Sequence, residues 1–593
     1  FLVCPHICSD TLGDILMLRA LHSGSRHILR QRDISFALGP VRHISSAANI
    51  THQVTNQSPE FVDNNLFAND AVLHRCLARS GHVDSESAHA ALFRAGAVAG
   101  SRESVEHARL ANLYTPVLHT HDRWGRHVDR VEFHPSYHAL MRIGMQAGVH
   151  LHPQLARAEH KSMSTRCAQL YLHNQMEQGT SCPLTMTFAA APVLAQSNCG
   201  ALGEVYQRGI SSLEYDPTDA PADAKRSITL GMAMTEKQGG SDVRANRTVA
   251  TPISSSVYSL RGHKWFCSAP MSDAFFTLAY ISGEEEKSGG ELSCFLVPRW
   301  LPDGQRNSGF QVKRLKSKLG NRSNASSEIE YHDAWAQLVG EPGRGIRAIM
   351  DMVAHTRLDC AVAGAAQMRQ ALSLAIHHCS YREAFGKRLR DQPLMSNVLA
   401  DLCVESEAAT VLAFRIARAF ERAHCDEHER ALARIGTAVA KYFVCKQVPQ
   451  YVYEAMECLG GNGYVEDSPT ARLFRESPLN AIWEGSGNVI SLDVLRAMGR
   501  EPAALDALLT ELKQATGMHP SLDVHIARVL TLAQQPVEQL VVSARLLVDQ
   551  LAIGLQASLL LREASPLVAE LFCLSRLEPL HCSRNYGRLP VEM

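Results

Sequence analysis

The spacing of apolar positions changes twice along the chain. From about residue 55 to 200 they recur every three to four residues, as in Ala91–Leu110 and His138–Ala158, which predicts helices. Thr165–Ala195 continues the pattern with small residues suited to close helix contacts. It lapses between Ser197 and Lys225, where EYDPTDAPADAK reads as a loop. Near Ile228 strict alternation sets in. Residues 256–268, 274–282, 292–298, 309–315 and 326–334 read as strands, with a polar hairpin tip at 281–291. The helical period returns at Gly345 and runs to about Ala497. Leu394, Val398, Leu402, Ala409, Leu412, Ile416 and Phe420 draw one apolar face through about seven turns. Glu501–Pro502 breaks the pattern, and a Leu-rich helical segment follows, with the apolar run LLVDQLAIGLQASLLL at 546–561. The order predicts an α+β chain, mainly α, in four folded parts. These are a helical domain at 51–227, a β-domain at 228–340, a helical bundle at 341–498 and an extra helical domain at 499–593.

Composition narrows this picture. A chain of 593 residues exceeds one simple core, so several domains are expected. The net charge of −1 carries no overall signature of nucleic-acid binding. The 16 Cys are scattered with no CxxC pair, which gives neither a zinc site nor a disulfide framework and suits a reducing compartment. No apolar run was expected to reach the roughly 18 residues of a membrane span. The chain begins at Phe1 rather than Met. From Met17 it is rich in Arg (Arg19, Arg26, Arg30, Arg32, Arg42) and Ser with one acid, Asp33, the composition of a mitochondrial presequence. Residues 1–50 are therefore read as presequence-like, the real start lying near Met17, and the mitochondrial matrix is the expected location. A disordered basic tail in a cytoplasmic protein is the alternative.

Five stretches carry candidate chemistry. PLNAIWEGSGNVISL (478–492) sets one carboxylate, Glu484, between an apolar run and a Gly-rich turn, where exclusion of water raises a carboxylate's basicity. GMAMTEKQGGSDVRANRT (231–248) ends a strand in a Gly-Gly turn able to cradle a flavin edge or a phosphate. GHKWFCS (262–268) places Trp265 on a strand, where it could lie against a planar ring. YREAFGKRLRDQPLM (381–395) puts Arg382 and Phe385 three apart on an expected helix, with Gln392 beyond a Gly turn; Arg can grip a pyrophosphate. MECLGGNGY (456–464) is a Gly-rich turn between helices. Each alone also reads as ordinary structure: a loop, a core Trp, a solvated Arg or a helix cap.

Their order and spacing, together with KLGNRSNAS at 318–326, resemble the acyl-CoA dehydrogenase family across roughly 60–500. The wording MAMTEKQGGSDV, HKWFCS, KLGNRSNAS and AIWEGSGNVISLDVLR is most similar to the AidB branch of alkylation-response flavoproteins, which carries an extra C-terminal helical domain. The resemblance implies a homotetramer of helical, β and four-helix-bundle domains that holds FAD between the β-domain and the bundle. By motif match, Met234, Thr235, Gly240 and Ser241 would line the flavin, and Trp265, Phe266 and Cys267 would lie along its ring. Arg382, Phe385 and Gln392 would reach the cofactor of a neighbouring subunit. Glu457, Gly460 and Gly461 would pass close to the cofactor, and Ser486 and Asn488 would contact it. Ser241, Arg357 and Gly485 would face substrate. Glu484 falls on the family's catalytic base, which takes the α-proton of an acyl-CoA while hydride leaves the β-carbon for the flavin. The thioester carbonyl would be polarised by the main-chain N–H of that Glu and a flavin ribose hydroxyl. Electron-transfer flavoprotein is the implied acceptor.

Some members carry the base at the position of Thr356, which cannot serve, and Asp359 should point to another helix side; this leaves Glu484. Three departures bear on the acyl pocket and CoA grip more than on FAD. Lys237-Gln238 replaces the usual Pro-Gly, Phe266-Cys267-Ser268 follows Trp265, and Glu457 stands where most members have Gln. Two competing readings remain. One is DNA binding through the C-terminal domain; the other is a redox or protective flavoprotein with little turnover. Residues 499–593 lean acidic, so negligible affinity for duplex DNA is expected, and tight binding with a steep salt slope would overturn that.

Overall fold

The computed structural model describes residues 53–80, 86–156, 162–197, 199–283, 290–578 and 586. The presequence-like stretch 1–50 lies outside them. The N-terminal helices are α1 (Ala71–Ala78), α2 (Glu86–Ala99), α3 (Arg102–Leu113), α4 (Pro135–Gln146), α5 (Met163–Met176), α6 (Ser181–Ala195) and α7 (Gly200–Ile210). α5 is buried along its whole length although it carries Arg166. That charge is matched by Asp359, with which it forms an ion pair, and its Nε donates to Val149 O at 2.8 Å. Asp359 also accepts from Thr185 Oγ1 at 2.7 Å, so it is engaged on the N-terminal domain side, away from Glu484. One hairpin interrupts the expected helical run, β1 (Val117–His121) with β2 (His127–Glu132), antiparallel. Its short, partly exposed strands carry too few apolar residues to announce themselves. Asp129 of β2 accepts from Val312 N at 2.9 Å and so ties the hairpin to the β-domain.

The β-domain contains β3 (Leu230–Ala233), β4 (Val249–Pro252), β5 (Val257–Ser268), β6 (Ala274–Ile281), β7 (Ser293–Pro298), β8 (Phe310–Leu315) and β9 (Ser326–Val339). Strands β4, β5, β9, β7 and β6 pair in a ring that closes on itself; β3 joins β6 in parallel and β8 lies on β9. Closure removes most exposed edge. The interior is lined by Tyr258, Leu260, Cys267, Phe275, Phe295 and Phe310. On β5 a register shift falls between Lys264 and Cys267. Plain alternation would send Cys267 to the same side as Trp265. The bulge instead turns Lys264 and Cys267 both inward and leaves Phe266 exposed.

The bundle is formed by α8 (Gly345–Tyr381), α9 (Pro393–Arg422), α10 (Glu427–Glu457) and α13 (Gly487–Arg500), with short α11 (Gly461–Tyr464) and α12 (Pro469–Glu476) between the last two. α8 is 37 residues long, about 55 Å. It contacts α5 and α6 on one side and α9 and α10 on the other, and so links the N-terminal domain to the bundle. The extra domain, α14 (Pro502–Lys513), α15 (Pro520–Ala533), α16 (Val537–Glu563) and α17 (Pro566–Arg576), packs on α9, α10 and α13. Here one expectation fails. α16 is long and apolar enough to pass as a membrane span by length and composition. More than half of its apolar window is buried in the protein, as in a core helix.

Candidate functional site

The turn between α12 and α13 is built around Glu484. A 3-10 turn at Leu479–Ala481 leads in, and Glu484 itself stands at φ 58°, a left-handed conformation rare outside glycine, before Gly485 at φ 105°. Three donors hold it. Thr356 Oγ1 of α8 donates to Glu484 Oε2 at 2.7 Å. Arg357 Nε donates to Glu484 O at 3.0 Å, and its Nη1 pairs with Asp493 at 2.8 Å. Lys441 Nζ of α10 donates to Trp483 O at 2.8 Å and to Gly485 O at 2.5 Å. Burial pushes the Glu484 carboxyl above its ordinary range, opposed by the Thr356 hydrogen bond and the charges of Arg357 and Lys441. By its solvent exposure Glu484 as a whole is half-buried. The apolar wall is incomplete: Trp483 is half-buried, but Ile482 is exposed.

The β-domain supplies the other wall. Trp265 N donates to Thr235 O at 2.7 Å and so ties β5 to the loop carrying Met234, Thr235, Gly240 and Ser241. Underneath, Glu236 and Lys264 form a fully buried ion pair of 2.7 Å. Glu236 also accepts from Arg247 N and Thr248 Oγ1, and Lys264 donates to Leu278 O, which satisfies the charges where water cannot. The ring of Trp265 is half-buried, with the Lys316 ammonium 3.6 Å from its centroid. Burial pushes the thiol of Cys182, the second residue of α6, up to about 11, reinforced by the Glu484 charge and opposed by Lys318, Ser268 and Asn324.

The expected site residues fall into three groups. The structure brings Thr356, Arg357, Glu484 and Gly485 together. Arg357 was expected to face substrate; its guanidinium is instead committed to the turn and Asp493. Cys267 is fully buried in the β-domain core, so its thiol does not line the flavin side as expected; the bulge in β5 is the reason. Arg382 and Phe385 do not share a helix. α8 ends at Tyr381, and Arg382 caps it in an extended conformation. Phe385 forms the tip of a hairpin with Gly386, between β10 (Glu383–Ala384) and β11 (Lys387–Arg388). Gly386, at φ 77°, turns the chain where a helix would have continued. Gln392 Nε2 donates to Ala384 O at 2.9 Å and braces that hairpin. Glu457 is exposed and makes no ion pair among the described residues. Thr356 as donor, Lys441, Asp493 and the Glu236–Lys264 pair were missed. HTRLD and HKW were the only signals, and each was read for its neighbour.

The open groups suit a flavin dinucleotide. Trp265 presents an aromatic face, and Gly240 and Ser241 are exposed on their loop. Ser486 and Asn488 are exposed at the first turn of α13, whose N-terminal N–H groups have no side-chain cap and favour phosphate oxygens. Gly460 and Gly461 have open space where a Cβ would stand. A Cβ on Gly487 would stand 2.7 Å from Arg545 Nη2 and 3.0 Å from Lys446 Cε, so the extra domain reaches the first turn of α13.

Comparison with known proteins agrees with this arrangement. Residues 56–217 match the adaptive response protein AidB N-terminal domain, 231–334 the acyl-CoA dehydrogenase middle domain and 343–499 the acyl-CoA dehydrogenase C-terminal domain. The Escherichia coli (strain K12) protein AidB is 42% identical over 529 residues, 89% of this chain and 95% of its own length. Acyl-CoA dehydrogenase family member 11 of Caenorhabditis elegans is 31% identical over 80% of this chain and 77% of its own. The crystal structure of C. elegans ACDH-11 in complex with C11-CoA superposes with a TM-score of 0.80 at 28% identity, covering 92% of this chain and 97% of that one. The chain belongs to the acyl-CoA dehydrogenase family, on its AidB branch, and its cofactor is FAD.

Proposed function

We propose that the protein is an FAD-dependent acyl-CoA dehydrogenase that forms the α,β double bond of a short or branched acyl-CoA. The observation that carries this reading is the Glu484 carboxylate, half-buried on a turn that three donors hold. Glu484 Oε takes the substrate's α-proton. FAD, when bound, supplies the acceptor for the β-hydride. Thr356 orients the carboxylate, and the clamped turn holds it in a single conformation, so less ordering remains to be done at the moment of proton transfer. In this reading the main-chain N–H of Glu484 donates to the thioester oxygen, where negative charge develops. Partial burial limits water around the base and keeps its carboxyl basic enough to act.

Phe385, fully exposed on its hairpin, supports a homotetramer in which Arg382, Phe385 and Gln392 reach a neighbour's cofactor. Electron-transfer flavoprotein is the proposed acceptor, and the mitochondrial matrix the proposed location. The DNA-binding reading loses two of its cations: Arg562 pairs with Glu511, and Arg576 with Asp401 and Glu405. Arg584, Arg588 and His581 lie outside the described residues. The test is anaerobic. The yellow holoprotein is mixed with straight and branched acyl-CoAs, including the C11 chain seen bound to ACDH-11, and its visible absorbance is followed. Bleaching by at least one acyl-CoA is expected; if none bleaches it, the dehydrogenase reading fails.

A further inference from the structure

Lys441 is an unusual residue to find behind the base. It lies on α10, is 1% exposed, and donates only to main-chain oxygens, those of Trp483 and Gly485. No carboxylate lies within ion-pairing distance of its ammonium among the described residues. The contrast with Arg357, its neighbour across the turn, is instructive. Arg357 also grips a turn carbonyl, but its charge is matched by Asp493, which Arg434 shares at 3.3 Å. A buried ammonium left without a counter-charge is costly, and its hydrogen bonds to carbonyls offset only part of that cost. Glu484 is the carboxylate whose two flanking carbonyls Lys441 holds, and the Lys441 charge acts on it.

We propose that Lys441 is a positioning residue of the reaction, fixing the Glu484 turn through its two flanking carbonyls and supplying the buried positive charge that keeps the carboxylate ionised until substrate arrives. This rests on the proposed role of Glu484 as base. Ionised Glu484 and Lys441 balance each other across the turn. When Glu484 accepts the α-proton it becomes neutral, and Lys441 loses its counter-charge. Lys441 exchanges no proton itself. It makes the base weaker than burial alone would, and the proton correspondingly easier to lose after turnover. Arg357 from α8 also lowers the Glu484 carboxyl, but unlike Lys441 it is paired, with Asp493, which Arg434 and Arg496 share. Cys182 from α6 and Cys360 from α8 are thiols that burial holds protonated. Lys446 lies farther along α10, with its Cε beside Gly487.

The experiment reads Glu484 directly as well as turnover. In FAD-loaded protein without substrate, the infrared band of the protonated carboxyl that Glu484→Gln removes is titrated against pH. The variants are Lys441→Met, Lys441→Gln and Lys441→Arg. In the Met and Gln variants the midpoint should move at least about one pH unit alkaline, and flavin bleaching below the new midpoint should slow at least about tenfold. Lys441→Arg keeps the charge and should keep the wild-type midpoint. The Gln variant retains donors for the carbonyls, so it separates charge from loss of the turn. A residue that only supported the fold would slow bleaching at every pH and leave the midpoint alone. An unmoved midpoint in the Gln variant, or an equal shift in the Arg variant, overturns the proposal. A moved midpoint in a protein that no acyl-CoA bleaches would sink the dehydrogenase reading and leave the Lys441–Glu484 coupling standing.

Discussion

Two glutamates set deep in this protein are surrounded in opposite ways. Glu511 of α14 sits in the seam between the extra domain and the bundle, saturated by cations: Arg415 at 2.8 Å and Arg562 at 2.6 Å, with Glu429 sharing Arg415. Its own burial would raise it, but the paired hydrogen bonds win and hold it at about 2. Glu484 has one hydroxyl on its carboxylate, and the two cations beside it reach its turn through main-chain oxygens rather than through the carboxylate. Burial wins there, and the carboxyl is pushed up. The first arrangement locks a domain in place. The second leaves a carboxylate able to accept a proton, and it is carried by a left-handed residue that the fold must hold against its own preference. At these two sites saturated charge goes with structure, and under-matched charge with the proposed chemistry.

The comparison can be broken most directly at Glu484. Glu484→Gln should slow acyl-CoA-dependent bleaching by roughly 100- to 10,000-fold while FAD stays bound. Retained bleaching would remove Glu484 from the base role. Because the folded protein disfavours the ionised carboxyl, the same variant should melt no lower than wild type, and bleaching by the wild type should fall as pH drops through a midpoint above the ordinary 4.5. Glu511→Gln should do the reverse. It leaves Arg415 and Arg562 under-compensated and should cost about 3–5 kcal/mol of stability in chemical denaturation, with bleaching per folded molecule unchanged. Glu511 is depressed in the folded state, so its contribution is complete above about 4.5 and is lost as pH falls toward about 2. A Glu511→Gln protein as stable as wild type would erase the distinction between the two sites. The smallest effect is expected at Thr356→Val, which removes a donor to the ionised carboxylate. The acid limb of bleaching should move alkaline, with roughly three- to tenfold slower bleaching on that limb. An unchanged limb would mean that Thr356 fills space only.

Much of this was legible in advance, and for a physical reason. Burying one face of an element requires apolar residues at that element's own period, so the passage from helix to strand and back was written in the spacing. Glu484 was legible only through the order and spacing of the motifs around it, since a carboxylate in a Gly-rich turn by itself also reads as an ordinary loop. The hairpin at 117–132 was not, because partly exposed strands of five or six residues need little apolar patterning. Phe385 was misplaced because a run such as YREAFGKR has helical composition until Gly386 turns it, and only the pairing of Glu383 with Arg388 reveals the hairpin.

Taken alone, the chain determines its domain order and its family and points to Glu484 as the proposed base, since these depend on local period and on motifs close in sequence. Tertiary structure alone decided which way β5 faces past its bulge, hiding Cys267. It also decided what surrounds Glu484. Thr356 and Lys441 stand 128 and 43 positions away in the chain and meet the turn only because α8 and α10 pack beside it. A carboxylate's basicity is set by the charges and donors around it in space, and their positions along the chain say nothing of that distance until the helices are assembled.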